Sequence, residues 1–365
     1  MNATRKPILL ISNMYPSEAS PAFGTFVRNI AEILQRNGIP LTYCVIDKTA
    51  GKRWFKIIQY SIFYIKTLLY LCTAVRFSGV YVHYILHSGL IFALIPWRIP
   101  NVVGHIHGTD VFNEGNSQVS RCKHWLVQRF IDKAETLVVP SEFYKAYVVK
   151  NYNCSRQKLV VSPSGGVNTK VFSPPLTGKF SFDGRKRFLV VGRLVPSKGY
   201  EVLVEALNQL AFELRQRMHL TIIGNGPLRE MITRKLETIS GIEQEFIAHL
   251  PQGELVKYFQ TADFFIFPSE RESLGLVGIE SMACATPVIA PLNSGISDYL
   301  IDGENGVAFE VNNANSLRHA IHACLDMAAA DYKVLANNAR ATSLRYESSE
   351  VNQPLIRLFN AKSEL

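Results

Sequence analysis

The sequence predicts an α/β protein of two Rossmann-like domains in tandem, with parallel sheets facing across a cleft. Three observations carry this. The 365 residues suit two domains rather than one. Short apolar runs alternate with longer helical patterns along the whole chain, the mark of parallel strands buried on both faces and joined by helices. A stretch rich in Pro, Gly and charge, from Ser173-Pro174-Pro175 to Arg187, divides that pattern in two.

Taken in order, the strand candidates of the first half are 8–12, 40–46, 79–84, 101–106, 136–139 and 158–162. Those of the second half are 188–192, 219–224, 245–248, 264–267, 287–290 and 306–309. Helical stretches at 24–37, 124–132, 199–216, 227–239 and 313–328 lie between them. The expected organisation is a first domain at 1–172, a linker at 173–187 and a second domain at 188–345. In the tail, 346–365, Val351, Leu355, Leu358 and Phe359 share one helical face, expected to return to the first domain.

Composition narrows the function classes. A hydrophobic content of 47% with 23 Gly and 17 Pro excludes disorder, collagen and coiled coil. Six cysteines lie no closer than 28 residues apart and form no Cys-x-x-Cys. That argues against a zinc ribbon or a disulfide framework and for reduced thiols in a cytosol. Ile8–Ile11 is too short for a signal segment and reads as a first strand, so a cytoplasmic protein is expected. Charge is uneven: residues 1–170 hold 20 Lys and Arg against 8 Asp and Glu, whereas 171–365 hold 19 against 22. A basic first half implies an anionic partner, and its interleaving with apolar helix puts a membrane surface ahead of nucleic acid.

The segment Trp54–Val75 is long enough to tempt a transmembrane reading, but Lys56 and Lys66 interrupt it. On a helical wheel Lys52, Lys56, Gln59, Lys66, Thr67 and Tyr70 share an arc, with Ile57, Ile58, Ile65, Leu68, Leu69 and Leu71 elsewhere. This allows a core helix with a solvated basic stripe, or an interfacial helix on anionic lipid anchored by Trp54, Phe55, Tyr60, Phe63 and Tyr64.

Chemistry concentrates in 268–287. A strand ends near Phe267 and a helix is expected near Gly275, so the amides of Ser273, Leu274, Gly275 and Leu276 would form a phosphate-binding helix start. Glu272 precedes that start and Glu280 lies about one turn inside it. Two carboxylates flanking a diphosphate suit a nucleotide-sugar, with sugar hydroxyls on Glu272 and ribose hydroxyls on Glu280. Gly192-Arg193 through Lys198-Gly199 follow the first strand of the second half, where ligands sit in open α/β sheets. Arg193 and Lys198 there would neutralise a departing diphosphate. Gly224-Asn225-Gly226-Pro227 ends the next strand in a turn that lets backbone approach a nucleotide.

These motifs in this order resemble the retaining GT-B glycosyltransferases of family four, of the bacterial surface-polysaccharide or lipopolysaccharide type. The likeness runs through nearly the whole chain and is densest in 188–310, with Pro163–Asn168 and Asp302–Gly306 as further matches. By resemblance, the loop from Tyr15-Pro16 to Gly24-Thr25 lies beneath the acceptor and the donor phosphates. His107-Gly108-Thr109-Asp110 matches the family's H-G-x-D, whose histidine faces the transferred sugar, with Thr25 and Asp110 on the acceptor side of the cleft. His105 is expected on the opposite face of its strand. His83 and His87, four apart, are read as structural or acceptor-lining rather than as a metal pair. Base contacts are expected from backbone around Phe246–Leu250. Two departures stand out: Ser164-Gly165-Gly166 with Asn168 replaces the usual Asn-Gly and Asp, and Ser273-Leu274-Gly275-Leu276-Val277 replaces Gly-Phe-Gly-Leu-Pro.

The sequence holds no D-x-D pair, so Arg193, Lys198 and the helix start are expected to serve without metal or other cofactor. The reaction implied is retaining transfer from a nucleotide-sugar to a lipid-linked or lipopolysaccharide glycan at the cytoplasmic membrane face, with no nucleic-acid partner. The alternatives are a GT-B nucleotide-sugar epimerase and a non-catalytic two-domain sugar-binding protein.

Overall fold

Apolar runs buried on both faces build two parallel sheets in the computed structural model, which describes residues 5–363 apart from 19, 21–22, 48–52, 113–116, 177–183 and 249. The first sheet comprises β1 (Ile8–Tyr15), β2 (Leu41–Asp47), β3 (Gly79–His83), β4 (Val102–His105), β5 (Thr136–Val139) and β6 (Leu159–Val161), in the order β2-β1-β3-β4-β5-β6. The second comprises β7 (Lys186–Val191), β8 (Met218–Ile223), β9 (Glu243–Ile247), β10 (Phe264–Ile266), β11 (Val288–Pro291) and β12 (Gly306–Phe309), in the order β12-β11-β10-β7-β8-β9. Every strand candidate forms. Helices flank each sheet, giving two Rossmann-like units.

Helix boundaries follow local chemistry. The helix Gln118–Lys133 begins earlier than its apolar pattern because the Ser117 side chain accepts from the Ser120 amide. The 199–216 stretch divides into Tyr200–Asn208 and Phe212–Arg215.

The chain separates into two units, Met1–Gly165 with Val351–Leu365, and Gly166–Glu350. Residues 166–172, expected with the first domain, therefore belong to the second. Val167 and Phe172 are buried in its core. The Val167 amide donates to Tyr346 O at 2.9 Å, and the Ser348 amide to Val167 O at 3.0 Å. Arg340 donates to the carbonyls of Thr169 and Phe172. Most of the expected linker, 177–183, lies outside the described residues. In the first unit, Leu355, Ile356 and Phe359 of the tail are buried with Tyr81, whose ring centroid lies 4.8 Å from that of Phe359.

The helix Arg53–Cys72 corrects the wheel-based expectation. Its inner face is aromatic with polar tips. Phe63, Thr67 and Leu71 are buried, and Tyr60, Tyr64 and Tyr70 pack beside them. Each of three hydroxyls finds a partner there: Tyr60 accepts from Asn13 Nδ2 at 3.1 Å, Tyr64 donates to His87 O at 3.1 Å, and Thr67 lies 3.5 Å from Cys44 Sγ. Satisfied polar tips let these side chains face the core. The outer face consequently carries Trp54, Phe55, Ile57, Ile58, Ile65 and Leu69. Thr67 and Tyr70 are thus not part of a solvated stripe, and Tyr60, Phe63 and Tyr64 are not outward anchors.

Candidate active site

The second unit gathers its candidate residues at the carboxyl ends of β7, β8, β10 and β11. β7 pairs with β8 on one side and β10 on the other, so chain order reverses there, where a crevice opens in such sheets. Loops after these strands interlock. The Gly192 amide donates to Ile223 O, Leu194 to Asn225 O, and Glu270 to Ser197 O. Gly224 approaches so closely that a Cβ would lie 1.9 Å from Gly192 O, and one on Gly226 would lie 2.4 Å from Leu194 O. Gly192 O in turn accepts from the Tyr200 hydroxyl at 3.0 Å.

Two helices open into this region, Tyr200–Asn208 and Leu276–Ala283. Each starts after a left-handed glycine, Gly199 at φ 68° and Gly275 at φ 83°, with no side chain capping its first amides. Some helices of the chain are capped by a side chain, as by Ser141 and Asn313, whereas others, such as Arg229–Glu237 and Ala329–Leu344, are not. Uncapped first-turn amides carry positive partial charge and need an acceptor. A side chain at Gly275 would strike the Phe267 ring at 2.7 Å, and one at Gly199 would strike Pro268 O at 2.0 Å.

Lys198 Nζ pairs with Glu272 Oε1, and the two side chains retain 23% and 14% of their exposure. Glu272 is strapped through its backbone: its amide donates to Ser294 Oγ at 3.0 Å and its carbonyl accepts from the Gly295 amide at 3.0 Å. Arg193 is exposed, its carbonyl accepts from the Val195 amide, and its side chain makes no hydrogen bond or ion pair among the described residues. Ser273, Gly275 and Leu276 are partly exposed, while Leu274 is buried in the core. Glu280 is 6% exposed and accepts from Gln252 Nε2; burial pushes its pKa up to about 7. Gln252, Ser294 and Tyr299, whose hydroxyl donates to Gly275 O, were not legible as site residues from their own motifs. Of the backbone expected to meet a base, 246–250, residue 249 lies outside the described residues.

The first unit places His107 just beyond β4. Strand pairing sets His83 directly beside His105. His105 and His107, two apart, share a side: their rings stack at 4.2 Å and 16°. The expected opposite orientation fails because the side-chain period of a strand is two. His83 Nδ1 lies 3.0 Å from His107 Nε2, and His105 Nδ1 lies 2.6 Å from the Tyr81 hydroxyl. Burial holds all three imidazoles neutral, His105 at about 3 and the others well below the usual value. His87 stands apart and exposed. One nitrogen from each of His83, His105 and His107 lies within 4.8 Å of the others. Their rings are within 31° of parallel and stack as a column, with the Nε2 atoms of His83 and His105 buried and without a hydrogen-bond partner among the described residues.

Phe26 and Tyr84 complete the wall around His107, with ring centroids at 4.5 and 5.4 Å. Phe26 is brought there by the helix Thr25–Arg36, which begins at Gly24, φ 75°. Asp110, expected on the acceptor side, is 3% exposed and spends its carboxylate on the amides of Ile85, His107 and Gly108. It therefore fixes the backbone that carries His107. Burial raises its pKa to about 6 against those hydrogen bonds.

Comparison with known proteins accords with this geometry. Residues 24–170 match the family described as Glycosyltransferase Family 4, and residues 178–342 match Glycosyl transferases group 1. An uncharacterized glycosyltransferase of Methanocaldococcus jannaschii is 27% identical over 66% of this chain and 63% of its own. A D-inositol 3-phosphate glycosyltransferase of Pseudarthrobacter chlorophenolicus is 30% identical over 60% of this chain and 54% of its own. The chain thus matches about half to two thirds of these relatives' length. Among solved structures, sucrose-phosphate synthase of Thermosynechococcus elongatus superposes with a TM-score of 0.75 at 21% identity, covering 98% of this chain and 100% of that one. Anabaena HepE in complex with UDP and glucose gives 0.71 at 18%, covering 98% and 100%. The chain belongs to the family-four glycosyltransferases of GT-B fold.

Proposed function

We propose that the protein is a retaining glycosyltransferase that moves a sugar from a nucleotide-sugar donor onto a growing lipid-linked, lipopolysaccharide or capsule glycan at the cytoplasmic membrane face, without a metal. The observation that carries this reading is the uncapped start of Leu276–Ala283 behind Gly275, in the unit that also pairs Lys198 with Glu272. UDP and glucose together in HepE support a nucleotide-sugar donor for this fold.

Charge develops on the diphosphate as the glycosidic bond breaks. The amides of Ser273 through Leu276 and the cations Arg193 and Lys198 meet it there, each donor contributing about 2–4 kcal/mol. An ammonium has three donors, and Glu272 uses one of them. Glu272 then accepts from sugar hydroxyls and Glu280 from the ribose. Gly192, Gly224 and Gly226 let backbone approach the nucleotide closely. His107, neutral, serves the transferred sugar, while Gly24 and Thr25 border the donor phosphates and acceptor, and Asp110 positions His107 through its amide. Retention follows when leaving oxygen and incoming hydroxyl share one face of the sugar, so no carboxylate nucleophile is required.

Transfer by Lys198→Ala and Glu272→Ala tests this. Turnover is expected to fall about a hundredfold in each, from the loss of charge-assisted contacts. Undiminished turnover in both would end the assignment.

A further inference from the structure

The helix Arg53–Cys72 presents to solvent a stripe of Trp54, Ile58, Ile62, Ile65 and Leu69, spaced three to four residues apart, each 48–64% exposed. Single exposed apolar residues are ordinary; a contiguous row along a 20-residue helix is not. Beside the row, a mainly apolar groove of about 270 Å³ runs between the helix and β2, lined by Phe55, Ile58, Ile62 and Phe63, with Asp47, Gln59 and Lys66 also on its wall. The helix packs inward through its aromatic face, so its outward face serves no core.

Charge identifies the partner. From Lys48 to Thr109 the sequence runs 62 residues without an Asp or Glu, yet holds seven Lys and Arg. Lys56 and Lys66 on the helix and Arg76 just beyond its end are exposed. A second copy would make a poor cover. A two-fold contact along this helix would bring lysines against lysines with Asp47 the sole carboxylate lining the groove, and interface cores are depleted in Lys. A protein partner's apolar groove would leave the lysines equally unmatched. An anionic bilayer satisfies both features, taking the apolar row below the headgroups while Lys stems reach back to phosphates. No helix among the described residues is long and apolar enough to cross a membrane, so the helix would lie in the plane.

We infer that the outer face of Arg53–Cys72 is a docking surface for an anionic phospholipid monolayer, with the groove beside β2 receiving an acyl chain. This deepens the membrane-face reading of the acceptor and rests on it for its purpose, but vesicle binding needs neither donor nor acceptor, so the two fail separately.

The test is co-sedimentation with phosphatidylcholine vesicles, with and without phosphatidylglycerol. The wild type should bind the mixed vesicles and barely the neutral ones. An Ile58→Ser/Ile65→Ser/Leu69→Ser variant, altered only at exposed positions, should bind at least about tenfold more weakly with an unchanged thermal melt. Trp54 fluorescence in a Trp97→Phe/Trp125→Phe background gives a second readout without touching the row: it should shift to the blue with mixed vesicles and be quenched by brominated acyl chains. Equal vesicle binding by the triple variant, or an unshifted Trp54, would overturn the inference. So would a wild-type dimer that the triple variant converts to monomer.

Discussion

His83 Nδ1 and His107 Nε2 lie 3.0 Å apart, inside a column that continues through His105 to the Tyr81 hydroxyl. Because His83 and His105 are register partners on adjacent strands, the sheet itself fixes this spacing. With its Nε2 engaged by His83, His107 has a fixed ring orientation. His83 is therefore a positioning residue: it holds the imidazole that would face the sugar. His83→Leu keeps the volume but removes that partner. Leaving a buried polar group unpaired costs about 1–3 kcal/mol, so kcat should drop roughly 5- to 150-fold. Nucleoside diphosphate affinity, which the proposal assigns to the other unit, should not move. A parallel loss of affinity would show a general structural effect instead.

Glu280 gives a prediction with a definite sign. Burial raises its folded pKa to about 7 from an unfolded value near 4.5. A group raised in this way favours folding fully below its unfolded pKa, and that contribution is lost as pH rises through the folded one. Glu280→Gln, which can still accept from Gln252, should be more stable than wild type at about pH 8 and lose that advantage by about pH 4.5. Melting temperatures of the pair across this window check it. An advantage independent of pH would mean that the carboxyl is not held near neutrality.

The tail helix Gln353–Ser363 should be integral to the first unit. Phe359 is fully buried against Tyr81, and Leu355 and Ile356 share its core. Phe359→Ala removes a ring from a packed site and should cost about 3–5 kcal/mol, read as a lowered denaturation midpoint. A loss under about 1 kcal/mol would mean that the helix is only loosely docked.

Much of this architecture was legible because parallel βαβ units announce themselves as uniform apolar runs. All the strands could be read that way. Gly199 and Gly275 were readable too, since their type reflects backbone conformation at one local turn. Longer-range relationships were not. Whether Thr67 or Ile65 faces the core depends on Cys44 and on the hydroxyl partners of the neighbouring tyrosines, which come from elsewhere in the chain. The break at Gly165 depends on Val167 pairing with a segment near Glu347. The part played by His83 emerges only when strand register brings it to His105. Period-two alternation should have placed His105 and His107 together from the outset.

The central claim is that the second unit grips a diphosphate with cations and helix amides and without a metal. Calorimetric titration of UDP, GDP and ADP into wild type and Lys198→Ala, in the presence of EDTA, tests it most directly. Wild type should bind at least one nucleotide saturably, and Lys198→Ala should bind it about ten- to a hundredfold more weakly through the loss of a charge-assisted bond. Binding that requires a divalent ion, or equal affinity in the two proteins, would contradict it.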